Sequence, residues 1–316
     1  MVSIERYYDG MKEEWNGFVA DSRNGFFLFD RNYMDYHADR FEDFSLVARD
    51  AKGRLLALLP AAIEGDVLCS HPGLTFGGWL LPPRRCDQLD MLEIWDAMTD
   101  FLRARGIGHV VYKAIPYIYD AQPAQEDIYA LFRAGARLST VLASSVVDLA
   151  DPLPFDQGSR QRARRALNSD VDFGRSDDWE GFWAVLEDLL RERYGSRPVH
   201  SLEEIRLLAS RFPDNIRLYT VREAGRIIAG TVLYVGPRAV HSQYTAASPR
   251  GKELSVIPGL YSKLIAELQT SGSGIRYFDF GTSNENGGRD VNEGLLRQKC
   301  SYGARAVAYS TYSLTL

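Results

Sequence analysis

The stretch "YFDFGTSNENGGRDVNEGLLRQKCSYGARA", Tyr277 to Ala306, decides how the chain is read. Tyr277 to Phe280 has the apolar character of a buried strand. Side chains alternate along a strand, so Tyr277 and Asp279 take the face opposite Phe278 and Phe280. A glycine- and asparagine-rich loop follows, then a short acidic and amidic segment carrying Lys299, then a second strand. Asp279 therefore stands at the carboxyl end of a strand, where α/β sheets commonly place their ligands.

Working outward, the same grammar occurs earlier in the chain. Ser45 to Arg49 and Arg54 to Leu59 flank the turn Asp50-Ala51-Lys52-Gly53 and predict a β-hairpin. Val67 to Ser70 and Val110 to Lys113 read as strands, as does Leu138 to Leu149. Asp87 to Arg105 has helical spacing at Leu92, Trp95, Met98 and Leu102, and Glu126 to Ala134 is a second helix. Ala150 to Gly158 is the best linker. Beyond it "LYTVREAGRIIAGTVLYVGPRAVHSQY" overlies "LVARDAKGRLLALLPAAIEGDVLCSH", and "YGARAVAYSTYSL" overlies "RAGARLSTVLASSVVDL". Gly53 and Gly225 lie 172 residues apart, Gly135 and Gly303 168 apart. Near-constant offsets in one order predict two copies of one unit, residues 1–150 and 151–316, in an α/β (α+β) chain.

Composition sets the limits. The 316 residues, 45% of them hydrophobic, suffice for two cores. A net charge of −5 does not suggest a DNA-wrapping protein. The N-terminus lacks an apolar segment after a basic start, and the longest apolar run, Leu55 to Ile63, is broken by Pro60, so neither a signal peptide nor a membrane span is expected. Cys69, Cys86 and Cys300 form no C-x-x-C pair; no disulfide framework and no metal site is expected, and a reducing cytoplasm fits best.

The duplicated unit of hairpin, long helix and closing strands resembles the FemAB branch of the GNAT acyltransferase superfamily. The segments that carry the resemblance are Ser70 to Gly78 ("SHPGLTFGG"), Arg197 to Ser201 ("RPVHS"), His241 to Ser248 ("HSQYTAAS") and Tyr277 to Arg305. The last is the most specific: Asp279-Phe280-Gly281, Lys299 and Tyr302-Gly303 match the family's D-x-G turn, lysine and aromatic-glycine pair. The resemblance implies two tandem GNAT-like domains, each with a mixed, mainly antiparallel sheet flanked by helices. It implies an N-acyltransferase with the donor and transfer site in the second domain and a degenerate, acceptor-side first domain.

Acyl transfer to an amine passes through an oxyanion, which a fixed cation stabilises. Lys299 is the candidate, beside Gly294 and Gly303, where backbone can approach a ligand; the other reading is a solvated lysine at a helix end. Asp279 either orients or deprotonates the acceptor amine, or caps its loop by bonding the Thr282 or Ser283 N–H. His241 is a candidate base and equally a structural histidine, like His200 and His71. Alternation places His241 and Gln243 on one face of their strand, Ser242 and Tyr244 on the other. Tyr244 completes the catalytic set.

GNAT enzymes cradle the donor pyrophosphate at a helix N-terminus. The matching segment here, Ser248 to Ser255, supplies Arg250, Gly251 and Lys252 but lacks the family's two spaced glycines. The resemblance implies acyl-CoA as donor co-substrate, with nothing tightly bound; the missing glycines match the members that use aminoacyl-tRNA, which is the alternative. Arg162 and Arg165, within the arginine-rich run 160–165, are read as phosphate contacts, including those of a tRNA acceptor stem, or as a solvated basic face. For the acceptor, His71, Phe76 and Gly77 of the first glycine-rich loop, Tyr36 and Arg40 upstream, and Gln243, Ser283 and Asn292 are expected in a cleft between the copies. A small-molecule amine is expected, foremost an amino sugar or a cell-envelope precursor, with membrane association only through a lipid-linked acceptor. A ligand-binding member without catalysis is the remaining alternative. No H-E-x-x-H, Walker A or G-x-S-x-G motif supports another chemistry, and Cys300 reads as a buried thiol.

Overall fold

The computed structural model describes Met1–Leu316, the side chains of His37 and Tyr194 apart. The chain divides into two compact units, Met1–Leu142 with Ala308–Leu316, and Ala143–Val307. The boundaries fall inside strands rather than at the Ala150 to Gly158 linker, and the last nine residues join the first unit rather than the second.

In the first unit, the Leu46–Arg49 and Leu55–Leu59 hairpin lies with Ser3–Arg6 in one small sheet. Its turn is fixed chemically: Asp50 Oδ1 accepts from the Lys52 and Arg54 N–H groups, and Gly53 takes φ +75°, where a Cβ is unfavourable. A second group of strands runs in the order Glu42–Asp43, Ala62–Glu64, Val67–Cys69, His109–Lys113 and Arg305–Thr315. Val67–Cys69 is parallel to His109–Lys113, which pairs antiparallel with the chain's last strand. The hairpin strand Leu55–Leu59 also makes an isolated antiparallel bridge from Leu58 to Leu80. The Gln88–Arg103 helix starts at Asp87 in a capping box with Asp90. It buries Met91, Ile94, Trp95, Met98 and Leu102. Full burial of such side chains contributes roughly 1.5–3 kcal/mol each.

In the second unit one sheet runs Asp172–Ser176, Ile216–Glu223, Arg226–Val235, Ala239–Ala247, Tyr277–Thr282 and Arg137–Asp148. The same order of roles recurs: hairpin, a strand parallel to its neighbour, and a closing antiparallel strand. In the parallel ladders Cys69 pairs with Val111 and His241 with Asp279. Cys69 to His241 is 172 residues and Val111 to Asp279 is 168, the two offsets found in the sequence. The helix Val256–Thr270 covers one face through Leu260, Tyr261 and Leu264, against Phe278 and Phe280. Helix Trp179–Tyr194 covers the other. Gly259 lets Val256–Thr270 approach Gln157–Leu167, since a Cβ there would lie 2.9 Å from that of Ala166.

Candidate active site

The site of the second unit forms where its parallel strands part. Ala239, Val240 and His241 pair with Tyr277, Phe278 and Asp279, and the ladder ends there. Both strands are irregular just beyond. On Ala239–Ala247 the register slips, so that Ser242 faces Leu233 but Tyr244 faces Val232, and Gln243 is the extra residue of a bulge. This changes the expectation from simple alternation: Tyr244 shares a face with His241. Ser242 and Thr245 share the other, bonding Thr231 and the Tyr261 hydroxyl at 2.6–3.0 Å. That polar face satisfies itself with hydroxyls, whereas Asp279 and His241 lie on the opposite one.

Asp279 is wholly buried. Its Oδ1 accepts from Ser144 Oγ at 2.5 Å and from the Gly281 N–H at 2.8 Å, and its Oδ2 lies 2.8 Å from His241 Nδ1. It thus combines an Asx-type bond, made to Gly281 rather than to Thr282 or Ser283, with a carboxylate–imidazole pair. Gly281 is required twice over. Its φ is +75°, and a Cβ there would stand 3.2 Å from the His241 ring.

Lys299, from the helix Glu293–Ser301, reaches the same turn and donates to the carbonyls of Gly281 at 3.0 Å and Thr282 at 2.7 Å. At 9% exposure it is not a solvated helix-end lysine. Burial lowers its pKa to about 8, against an opposing pull from the Asp279 charge. Two of its three N–H groups are engaged, leaving one. Gly303 serves packing: a Cβ there would meet the Leu153 carbonyl at 2.1 Å. Asn292 caps Glu293–Ser301 by accepting from the Leu295 N–H and donates to Glu285. Ser283 is buried with its Oγ unbonded. Cys300 is partly exposed.

On the His241 face, the Tyr244 hydroxyl lies 2.6 Å from His200 Nδ1, and its ring stands edge-on to Trp183 at 5.3 Å. Burial pushes the phenol up to about 12, so it stays protonated at neutral pH. Trp183 and Ser144 were not singled out by sequence. Ser144 lies 135 residues from Asp279, on a strand read for its place in the repeat.

A cavity of about 280 Å³ opens at the N-terminal end of Val256–Thr270, lined by Arg162, Gly251, Lys252, Ser255, Gln298 and Tyr302 among others. It gathers three of the five residues expected at the donor. Gly251 is there for space, since a Cβ would lie 2.4 Å from the Ile228 carbonyl oxygen. Arg250 is turned to Glu223 and Glu253, and Arg165 is exposed outside the cavity lining.

The acceptor residues of the first unit are dispersed. Phe76 is 3% exposed in an aromatic cluster, 4.4 Å from the Tyr119 ring, so its ring face is not open. Gly77 donates to the Lys113 carbonyl, and a Cβ on it would meet the Ser70 carbonyl oxygen at 2.8 Å. Tyr36 stands edge-on to Tyr33, and Arg40 is exposed. His71, at φ +46°, lines a cavity of about 560 Å³ with Arg6, Tyr7, Lys12, Arg31 and Phe41. Among the described residues no His, Cys, Asp and Glu cluster could hold a metal ion, and no helix is long and apolar enough to cross a membrane.

Residues 157–286, which include His241 and Asp279, match the model of an acetyltransferase (GNAT) domain. The chain carries a GNAT acyltransferase domain. Its fold is a tandem GNAT-like one. The structure of FemX covers 99% of this chain and 97% of its own at 11% identity and TM-score 0.71. The C-terminal domain of a putative lysylphosphatidylglycerol synthetase from Agrobacterium fabrum covers 97% and 92% at 15% identity and TM-score 0.63. A tandem GNAT protein from the clavulanic acid biosynthesis pathway covers 100% and 98% at 12% identity and TM-score 0.52. No curated protein matches this chain in sequence.

Proposed function

We propose that the protein is a cytoplasmic N-acyltransferase that moves an acyl group from acyl-CoA to the amine of an amino sugar or a cell-envelope precursor. The observation that carries this reading is the buried Asp279–His241 pair at the opening of the parallel ladder, with Lys299 across the same turn. With Nδ1 held by Asp279, His241 has Nε2 free to take the proton of the attacking amine. The C–N bond forms as the carbonyl oxygen gains charge, and the third N–H of Lys299 stabilises it. The C–S bond then breaks, and the departing thiolate recovers the proton from the imidazolium. Arg162, Lys252 and the N–H groups at the start of Val256–Thr270 suit the donor phosphates.

The alternative donor, aminoacyl-tRNA, is favoured by the exposed Arg160, Arg162, Arg164 and Arg165 on one helix. The fold shared with FemX and with a putative lysylphosphatidylglycerol synthetase points the same way. Purified protein incubated with labelled acetyl-CoA or with aminoacyl-tRNA, and a panel of amino-sugar and lipid-linked amine acceptors, decides between them. Amide product from acetyl-CoA alone supports the first reading, product from tRNA alone the second, and product from neither overturns both.

A further inference from the structure

We propose that Ser144 is a positioning residue of the transfer site, acting through Asp279 to hold the His241 imidazole in a single tautomer. The inference deepens the acyl-transfer reading and rests on it for its kinetic part.

The geometry is local to the second unit. Ser144 lies on the strand next to Tyr277–Thr282, where Asp279 pairs with Val146 and Thr282 with Ser144. Three steps on one strand therefore face two on the other. The extra residue turns the strand at Gly281, and this brings the Ser144 hydroxyl to Asp279 Oδ1. Ser144 and Asp279 are both fully buried. A buried carboxylate is costly unless hydrogen-bonded, and bonds to a charged acceptor are the strong ones.

The distribution of donors gives the arrangement its direction. Two of them, Ser144 Oγ and the Gly281 N–H, converge on Oδ1. Oδ2 faces His241 Nδ1. Anchored on one oxygen from both sides, the carboxyl plane cannot rotate, and its second oxygen selects the Nδ1–H tautomer. Without the serine, Oδ1 loses a donor, the carboxylate is held less firmly, and the Nδ1–H tautomer loses part of its support. A buried hydroxyl that merely filled space would not need this partner. Its neighbour Ser145, 2% exposed, provides the comparison.

The test uses the full-length protein and two readouts: nitrogen NMR of the His241 ring, and steady-state transfer. Ser144→Ala is expected to convert a single Nδ1–H tautomer into a mixture. It should lower kcat ten- to hundredfold with KM little changed, the size expected for one hydrogen bond to a charged group. Ser145→Ala should leave both readouts as in the wild type. A wild-type tautomer in folded Ser144→Ala overturns the proposal, as do equal changes in the two variants. If Ser144→Ala does not fold, Ser144→Cys, with its weak donor, carries the test: a partial tautomer shift supports the role and an unchanged ring overturns it. A wild-type protein that transfers no acyl group sinks the functional reading instead, while the tautomer result still stands or falls by itself.

Discussion

The two units repeat one plan and differ at the last rung of their parallel ladders. Each has a parallel pair of strands, and each has a lysine bonding two loop carbonyls, Lys299 buried and Lys113 half-buried: Lys299 to Gly281 and Thr282, Lys113 to Pro72 and Leu74. Burial lowers the pKa of both lysines. At the last rung of the parallel ladder, however, the second unit has His241 and Asp279 where the first has Cys69 and Val111. The second also keeps its hairpin in the same sheet, while the first sets it apart. A lysine clasping a turn is thus common to both scaffolds, and the carboxylate–imidazole pair is what distinguishes the second unit, where we propose the transfer site.

The widest gap between the units should open on Asp279. Asp279→Asn retains shape but loses the charge that selects the tautomer, and we expect kcat to fall by on the order of 10³ or more. Cys69→Ser, at the matching rung of the first unit, should leave kcat within about twofold; comparable losses in the two would break the assignment of chemistry to one unit. His241→Gln should lower kcat by about 10²–10⁴, the usual worth of a general base, measured at saturating acceptor.

The lysines sharpen the comparison. Each alanine variant strips two carbonyls of a donor and should lose about 1–3 kcal/mol in denaturant unfolding. Only Lys299→Ala should also lower kcat, by about 10²–10³. An active Lys299→Ala would reduce that residue to its scaffold duty. Acidity supplies a further check. The folded pKa of Lys299 is about 8, below the ordinary 10.5, so carrying the charge disfavours the folded state below pH 8. That penalty fades as pH rises to 10.5, so this group makes stability increase across the window, and Lys299→Met should flatten the rise. Transfer that uses the charged lysine should decline above pH 8 over the same range. The smallest effect belongs to Arg162→Gln, which should weaken donor binding a few-fold and reduce its salt dependence.

Much of the scaffold is legible in the sequence because its signals are local. Asp50 and Gly53 specify a turn within four residues, and Asp87 with Asp90 specify a helix start. The strand carrying Asp279 is equally plain from Phe278 and Phe280. What sequence does not show is set by neighbours far along the chain. The bulge at Gln243 exists only against Leu233 and Val232, so alternation assigns Tyr244 to the wrong face. Phe76 reads as an acceptor contact, but Tyr119 and Tyr309 pack against its ring. Gly303 signals a close approach without saying to what, and the answer is the Leu153 backbone rather than a ligand.

The closing strands carry a consequence for ancestry. Arg137–Asp148 starts in the first unit and its last six residues complete the second, whereas Arg305–Thr315 starts in the second and finishes in the first. Each gene half thus encodes the strand that finishes the other's product. Two identical single-unit chains exchanging their tails would make a swapped dimer with this wiring, and joining them end to end would preserve it. The Asp279 of one half keeps a hydrogen-bond partner, Ser144, that is written in the other.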